Sequence, residues 1–364
     1  MRVLTVIDDL GSGGAQRQIV NLAVGLAARG HDVRMFTYHP DGHFRPALEA
    51  AGIPVELARK PSRFSPAPIL ALRRAIRTHR ADAVVAFLET PAVYAELAAV
   101  GQGTTLLVGE RNSVPGGAVS MGRAVKSQLH RMADLVVANS HAHRDWMATR
   151  FPYLADRLHA VWNGIDLDRF VATPVPPVDG PVRLLGVGRV APAKNVPRLI
   201  AALARARAAG HDVVVDWAGR VDDPAEQARC EAALRATPLG EAWRWLGERS
   251  DVPELLAAHH GVIAPSLWEG LPNAVCEALA CGRPVLASRV ADNARLVEPD
   301  VRGDLFPADD VESIAGAIGR FAALDDASRA ARGRAARVFA EAHLGQAACT
   351  AAYEALLQRA EARA

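Results

Sequence analysis

A chain of 364 residues is longer than one ordinary hydrophobic core supports, so two domains are expected. Half of its residues are hydrophobic and 23% are charged, the balance of a soluble globular protein. The formal net charge of +2 supplies no global field for nucleic acid, and no nucleic-acid partner is expected.

The opening stretch MRVLTVIDDL holds a five-residue apolar run before two aspartates, too short for the core of a secretory signal. "VLTVI" (3–7) reads as a strand, followed by a glycine-rich turn and then "AQRQIVNLAVGLAARG" (15–30). In that segment Ile19, Leu22, Ala23 and Leu26 recur at helical spacing and Gly30 stands where a helix-ending glycine belongs. Strands are expected at 32–38, 54–58, 82–88, 104–110 and 134–140, with a helix over 66–81. Continuous apolar strands separated by helices imply a parallel sheet covered on both faces.

The alternation breaks at "VATPVPPVDGPV" (171–182), whose prolines interrupt any regular element. It restarts with strands at 182–188, 212–219, 243–248, 261–266 and 283–288, and helices near 196–209 and 223–236. The expected architecture is two doubly wound α/β domains, 1–170 and 183–345, joined by a proline-rich hinge at 171–182. A final helix, 346–364, is free to pack back on the first domain. In such sheets ligands bind beyond the carboxyl ends of the strands, so two facing domains imply a cleft between them. No stretch approaches the roughly 18 apolar residues of a membrane span. Cys230, Cys276, Cys281 and Cys349 show neither CxxC spacing nor a dense framework, so reduced thiols and a cytoplasmic location are expected.

Three segments carry chemistry. Gly11, Gly13 and Gly14 in "DDLGSGGAQRQ" (8–18) lie between the first strand and first helix, where backbone amides can approach a ligand. The pattern is neither GxGxxG nor a P-loop, and it reads equally as a tight turn. In "GVGRVAPAKN" (186–195), Arg189 follows a strand end and Lys194 precedes a helix, a pair of cations suited to a diphosphate. "PSLWEGLPNAVCEALACGRPVLAS" (265–288) sets Glu269 in a turn and Glu277 eight positions on, within a helix expected over 273–280. Eight helical residues span about 12 Å, and amides at that helix start can take phosphate oxygens. One carboxylate can serve a sugar ring and the other a ribose diol.

Together these residues resemble the retaining glycosyltransferases of family 4, which have the GT-B fold. Glu269 and Glu277 match that family's E-x7-E motif, and "GGAQRQIVNLAVGLAARGHDV" is similar to its "GGAER" segment. "VWNGIDLDRF" (161–170) is similar to its "NGxDxxxF" segment and "GVGRVAPAKN" to its "GRxxxxKG" phosphate site. The resemblance implies that Arg189, Lys194 and Glu269 are catalytic. Arg189 and Lys194 would hold the donor diphosphate with amides of Gly270, Leu271, Pro272, Asn273 and Ala274, while Glu277 would bind the ribose. Glu269 would contact the transferred sugar, Val252 would lie near the base, and Gly13 and Gly14 would face the sugar and diphosphate. It implies neither a metal nor a cofactor, because the cations and helix dipole meet the departing charge.

The sequence departs from the family pattern in places. Asn195 replaces the family glycine, and His259–His260 replace its usual Ala-Asp. No histidine stands at the usual place in the first domain, where "LLVGERNSVPGG" (106–117) puts Arg111 or Asn112 as the sugar or acceptor contact. Asn139, with His141 or His143, is placed to meet the acceptor, and His130 reads as a helix-face residue. The acidic pairs Asp222–Asp223 and Asp325–Asp326 lack the setting of a metal-binding DxD, and Asp8–Asp9 reads as a structural turn. Arg73, Arg74, Arg77 and Arg80 form a basic helix face. The resemblance adds an anionic surface at the inner face of the membrane as its partner.

The function so implied is transfer of a hexose or N-acetylhexosamine from a nucleoside-diphosphate sugar, UDP favoured, to a hydroxyl of a glycan, lipid-linked or small-molecule acceptor, with retained configuration. A sugar-nucleotide epimerase, a phosphorylase or a non-catalytic nucleotide-sugar-binding regulator are the rivals on the same architecture.

Overall fold

Apolar residues on both sides of each strand and a stripe on each helix can be buried together only by layering helices over a parallel sheet. The computed structural model, which describes residues 1–40, 42–62, 65–111 and 127–362, does this twice. One unit comprises Met1–Gly164 with Gln346–Ala364 and the other Ile165–Gly345.

The first unit carries β1 (Arg2–Val6), β2 (Asp32–Thr37), β3 (Val55–Leu57), β4 (Ala83–Phe87), β5 (Thr105–Glu110), β6 (Leu135–Ala138) and β7 (Leu158–Ala160). They lie in the order β3-β2-β1-β4-β5-β6-β7, all parallel. Alternate residues serve opposite faces. Val3, Val85 and Phe87 pack with Ile19, Leu22 and Leu26 of helix Gly14–Ala28, and with Tyr353, Leu356 and Leu357 of helix Gln346–Glu361. Leu4, Val6, Val84 and Ala86 pack with Leu72 and Ile76 of helix Ala67–His79 and with Ala92 and Ala95 of helix Glu89–Ala99. The terminal helix is thus part of this core. A Cβ on Gly25 would lie 2.3 Å from Thr350 Oγ1, so glycine permits that close approach. Glu354 accepts from Arg29 Nε at 2.8 Å and pairs with His31 at 2.7 Å.

The second unit carries β8 (Val182–Val187), β9 (Val213–Ala218), β10 (Trp243–Gly247), β11 (Gly261–Ala264), β12 (Val285–Ser288) and β13 (Gly303–Phe306) in the parallel order β10-β9-β8-β11-β12-β13. Its proline-rich stretch is fastened to it by Arg283, whose fully buried guanidinium donates to Thr173 O at 2.8 Å, Pro174 O at 3.2 Å and Leu256 O at 2.6 Å. Buried Asp216 on β9 accepts from Arg244 Nε at 2.6 Å and meets His259 Nε2 at 2.8 Å. Burial alone would raise the pKa of Asp216, but those hydrogen bonds prevail and hold it below the usual carboxylate value. Strands β7 and β13 escape the sequence pattern because each is short and half polar and forms at a sheet edge by pairing with β6 and β12. No helix among the described residues is long and apolar enough to cross a membrane.

His130 is not the helix-face residue that its sequence context suggests. It is buried, with Nδ1 2.5 Å from Glu96 Oε1 and Nε2 3.0 Å from Glu110 Oε1. Burial disfavours its charge, yet the hydrogen bonds to Glu110 and Glu96 outweigh burial and push its pKa up to about 9. A raised folded-state pKa stabilises the fold fully below the ordinary value of 6.5, and that stabilisation is lost as pH rises through about 9. The difference in urea midpoint between wild type and His130→Gln is therefore expected to shrink from pH 6.5 to 9. A constant difference across that window would contradict the assignment.

Candidate active site

In the second unit β8 has β9 on one side and β11 on the other, so the winding reverses there. Loops leaving the carboxyl ends of β8 and β11 diverge, and a crevice opens where a ligand can reach backbone and side chains from both. Lys194 arrives from the first loop and Glu269 from the second. Lys194 Nζ donates to Glu269 Oε1 at 2.5 Å, and Ser266 Oγ donates to the same oxygen at 2.7 Å. Both charged side chains are mostly covered, at 20% and 15% exposure, where Coulomb attraction is less screened than at a free surface.

Local sequence explains this placement. Gly188 makes room for the lysine stem, since a Cβ there would lie 2.9 Å from Lys194 Cε. Asn195 occupies the left-handed region at φ 59°, which asparagine and glycine tolerate and most residues do not. The replacement of the family glycine therefore keeps the backbone turn. Its side chain adds bonds to Pro265 O at 3.0 Å and Ala308 O at 2.7 Å. Leu267 N donates to Ala193 O at 2.8 Å, which ties the two loops directly.

Past Glu269 the chain enters helix Asn273–Ala280, anchored by buried Val275, Cys276 and Leu279. The five residues Gly270, Leu271, Pro272, Asn273 and Ala274 do not all offer amides. Pro272 has no N–H, and Asn273 N donates to Leu271 O at 2.9 Å. The amides of Gly270, Leu271 and Ala274 have no partner among the described residues and adjoin the positive end of the helix dipole. Glu277 lies one turn into the helix, half-buried. Burial pushes the Cys276 thiol up, and the Cys281 thiol to about 11, so neither is an activated nucleophile.

Arg189 follows β8, but it does not join Lys194 and Glu269. It donates instead to Asp222, which also accepts from Arg220 Nε at 2.8 Å. Val252 opens helix Val252–Ala258 after β10, at the same carboxyl edge. A covered carboxylate beside an ammonium, three amides without a partner among the described residues and a flanking guanidinium can hold a polyphosphate and a polyol side by side.

In the first unit Gly13 and Gly14 begin helix Gly14–Ala28 after β1. A Cβ on Gly13 would collide with Gln16 Oε1, and the Gln16 amide reaches Asp8 Oδ1 at 3.3 Å and Asp9 Oδ1 at 3.1 Å, while Gly14 faces open space. Burial raises the Asp8 pKa. Arg111 lies with its guanidinium 3.7 Å from the Phe87 ring centroid and donates to Asn163 Oδ1 at 2.9 Å and Tyr353 Oη at 2.5 Å. As found, it fastens the terminal helix to the end of β5. Asn112 lies outside the described residues. Asn139 is buried at the end of β6, and His141 sets its ring 5.3 Å from that of Trp162. Ser266, Arg220 and the role of Asp222 escape the sequence reading. The available signal was their place within a few residues of a strand's carboxyl end.

The family model described as Glycosyltransferase Family 4 matches residues 12–169, and that described as Glycosyl transferases group 1 matches residues 181–323. Glycogen synthase of Mycobacterium tuberculosis is 31% identical, over 89% of this chain and 86% of its own length. Lipopolysaccharide glucosyltransferase WaaG of Escherichia coli is 26% identical, over 78% and 79% respectively. Among solved structures, the Anabaena protein HepE in complex with UDP has a TM-score of 0.81 at 23% identity, covering 99% of this chain and 100% of that one. Sucrose-phosphate synthase from Thermosynechococcus elongatus has a TM-score of 0.77 at 20% identity, covering both chains fully.

Because Asn195 combines a left-handed backbone with two carbonyl bonds, Asn195→Ala is expected to lower unfolding free energy by about 2 kcal/mol. Asn195→Gly keeps the backbone preference and is expected to cost about half as much. Chemical denaturation of the two variants tests the order, and an alanine variant no worse than glycine would refute it.

Proposed function

The chain belongs to glycosyltransferase family 4 and is a glycosyltransferase of the two-domain GT-B fold, and from that premise we propose that it transfers a hexose or N-acetylhexosamine from a UDP-sugar, with retained configuration and without a metal. The observation that carries this reading is the contact of Lys194 with Glu269 at the β8/β11 crossover, beside the amides of Gly270, Leu271 and Ala274, which have no partner among the described residues. Lys194, Arg189 and those amides meet the diphosphate charge as the leaving group departs. Glu269 takes hydroxyls of the transferred sugar, Glu277 those of the ribose, and Val252 the base. The preference for UDP draws on HepE, whose structure holds UDP.

In the transfer, the bond from the anomeric carbon to the diphosphate oxygen breaks as the acceptor hydroxyl bonds to the same face of that carbon. The hydroxyl proton passes to the departing phosphate oxygen, and UDP leaves. The acceptor is a hydroxyl of a glycan, lipid-linked or small-molecule substrate. Gly13 and Gly14 serve the donor from the first unit, and Asn139 and His141 serve the acceptor. Arg111 serves it only by releasing its present partners.

A cytoplasmic enzyme resting on the inner face of the membrane is part of the same proposal. Leu70, Arg74 and Arg77 share an exposed face of helix Ala67–His79, and exposed Arg80 follows it. Arg73 contributes less, because its Nη1 donates to Ala98 O at 3.0 Å and Val100 O at 2.7 Å.

Thermal-shift measurements against UDP-, GDP- and ADP-sugars are expected to show the largest rise with a UDP-sugar. Glu269→Ala is expected to cut turnover by about 100-fold or more, and product NMR to show the donor's anomeric configuration. Full activity in that variant, or an inverted product, would sink the reading. Sedimentation with anionic vesicles should carry the protein down and should weaken in Arg74→Glu/Arg77→Glu; equal sedimentation of both proteins would remove the membrane contact.

A further inference from the structure

We infer that Asp222 is the positioning residue for Arg189, holding its guanidinium ready for the donor diphosphate; the inference rests on the role proposed for Arg189. Beyond the sheet proper, the segments leaving β8 and β9 stay paired. Gly188 N donates to Ala218 O at 2.9 Å, Val190 N to Arg220 O at 2.8 Å and Asp222 N to Val190 O at 3.2 Å, with a parallel bridge between Val190 and Val221. Gly219 permits this approach, since a Cβ there would lie 1.9 Å from Gly188 O. The backbone of Asp222 is therefore registered against that of Arg189 before any side chain is considered.

The two neighbouring aspartates then take separate tasks. Asp223 caps helix Pro224–Arg235, accepting from Ala225 N at 2.9 Å and Glu226 N at 3.3 Å. Asp222 turns the other way and accepts from Arg189 Nη1 and Arg220 Nε. It is the covered member of the trio, with 24% exposure against 60% for Arg189 and 57% for Arg220. Hydrogen bonds from Arg189 and then Arg220 hold its pKa below the usual carboxylate value, so it stays ionised.

An ion pair this exposed contributes little to stability, so stability does not account for it. Orientation does. A guanidinium presents five N–H donors, and a carboxylate on Nη1 leaves the others for phosphate oxygens. Rotamer freedom that Arg189 would otherwise lose on meeting the donor is already lost. Arg220 shares the carboxylate, so the trio keeps a net single positive charge toward an incoming anion.

Titration calorimetry with UDP and with uridine on wild type, Asp222→Ala, Arg189→Ala and the double variant tests this. Asp222→Ala should weaken UDP about five- to tenfold and leave uridine unchanged. In the Arg189→Ala background it should add nothing, a coupling that a merely structural role would not produce. Asp222→Asn, nearly isosteric, repeats the measurement should the alanine variant fold poorly. UDP affinity unchanged or tightened by loss of Asp222, with Arg189→Ala still weakening it, overturns the inference and leaves the role of Arg189 standing. Wild-type UDP affinity in Arg189→Ala overturns both.

Discussion

One contact organises the carboxyl edge of the second sheet: the 2.5 Å bond between Lys194 and Glu269, residues 75 positions apart in the chain. It forms because β8 and β11 are neighbours in the sheet while the chain between them winds away through β9 and β10. Everything nearby serves that meeting. Gly188 clears space for the lysine stem, Asn195 turns the backbone, and Ser266 holds the carboxylate from behind. Reversal of winding in a parallel sheet makes the opening; the side chains only furnish it.

The charged groups of this chain are paired according to depth. In the interiors, Asp216 meets Arg244 and His259, and His130 meets Glu96 and Glu110, so each of these two central groups has partners on two sides. Arg283 is buried without an acid and is satisfied by carbonyls and the Thr173 hydroxyl, which makes it a staple for the proline-rich segment. At the carboxyl edge the pairs lie less deep: Lys194 with Glu269 is mostly covered, and Arg189 with Asp222 is exposed on its arginine side.

Much of the site was legible as residue type and spacing. Arg189, Lys194 and Glu269 stand out because each lies in the loop beyond an apolar run that reads as a strand, where ligands bind in such sheets, and Glu277 by its spacing from Glu269 within the helix that follows. What spacing could not carry was pairing. Nothing local says that Arg189 turns to Asp222 while Lys194 turns to Glu269, or that Asn273 spends its amide on Leu271. Arg111 shows the same limit. Its position after β5 suggests a ligand contact, whereas its partners Phe87, Asn163 and Tyr353 come from distant stretches of the chain.

The sequence by itself determined the alternation of buried strands and amphipathic helices, and with it two parallel sheets, because periodicity and hydrophobicity are local properties. It also determined which residues stand at strand ends. Only the tertiary structure decided strand order, the recruitment of the edge strands β7 and β13, the joining of the final helix to the first core, and the partner of each charge. These depend on burying whole faces against one another and on satisfying each buried polar group, conditions that no window of neighbouring residues contains.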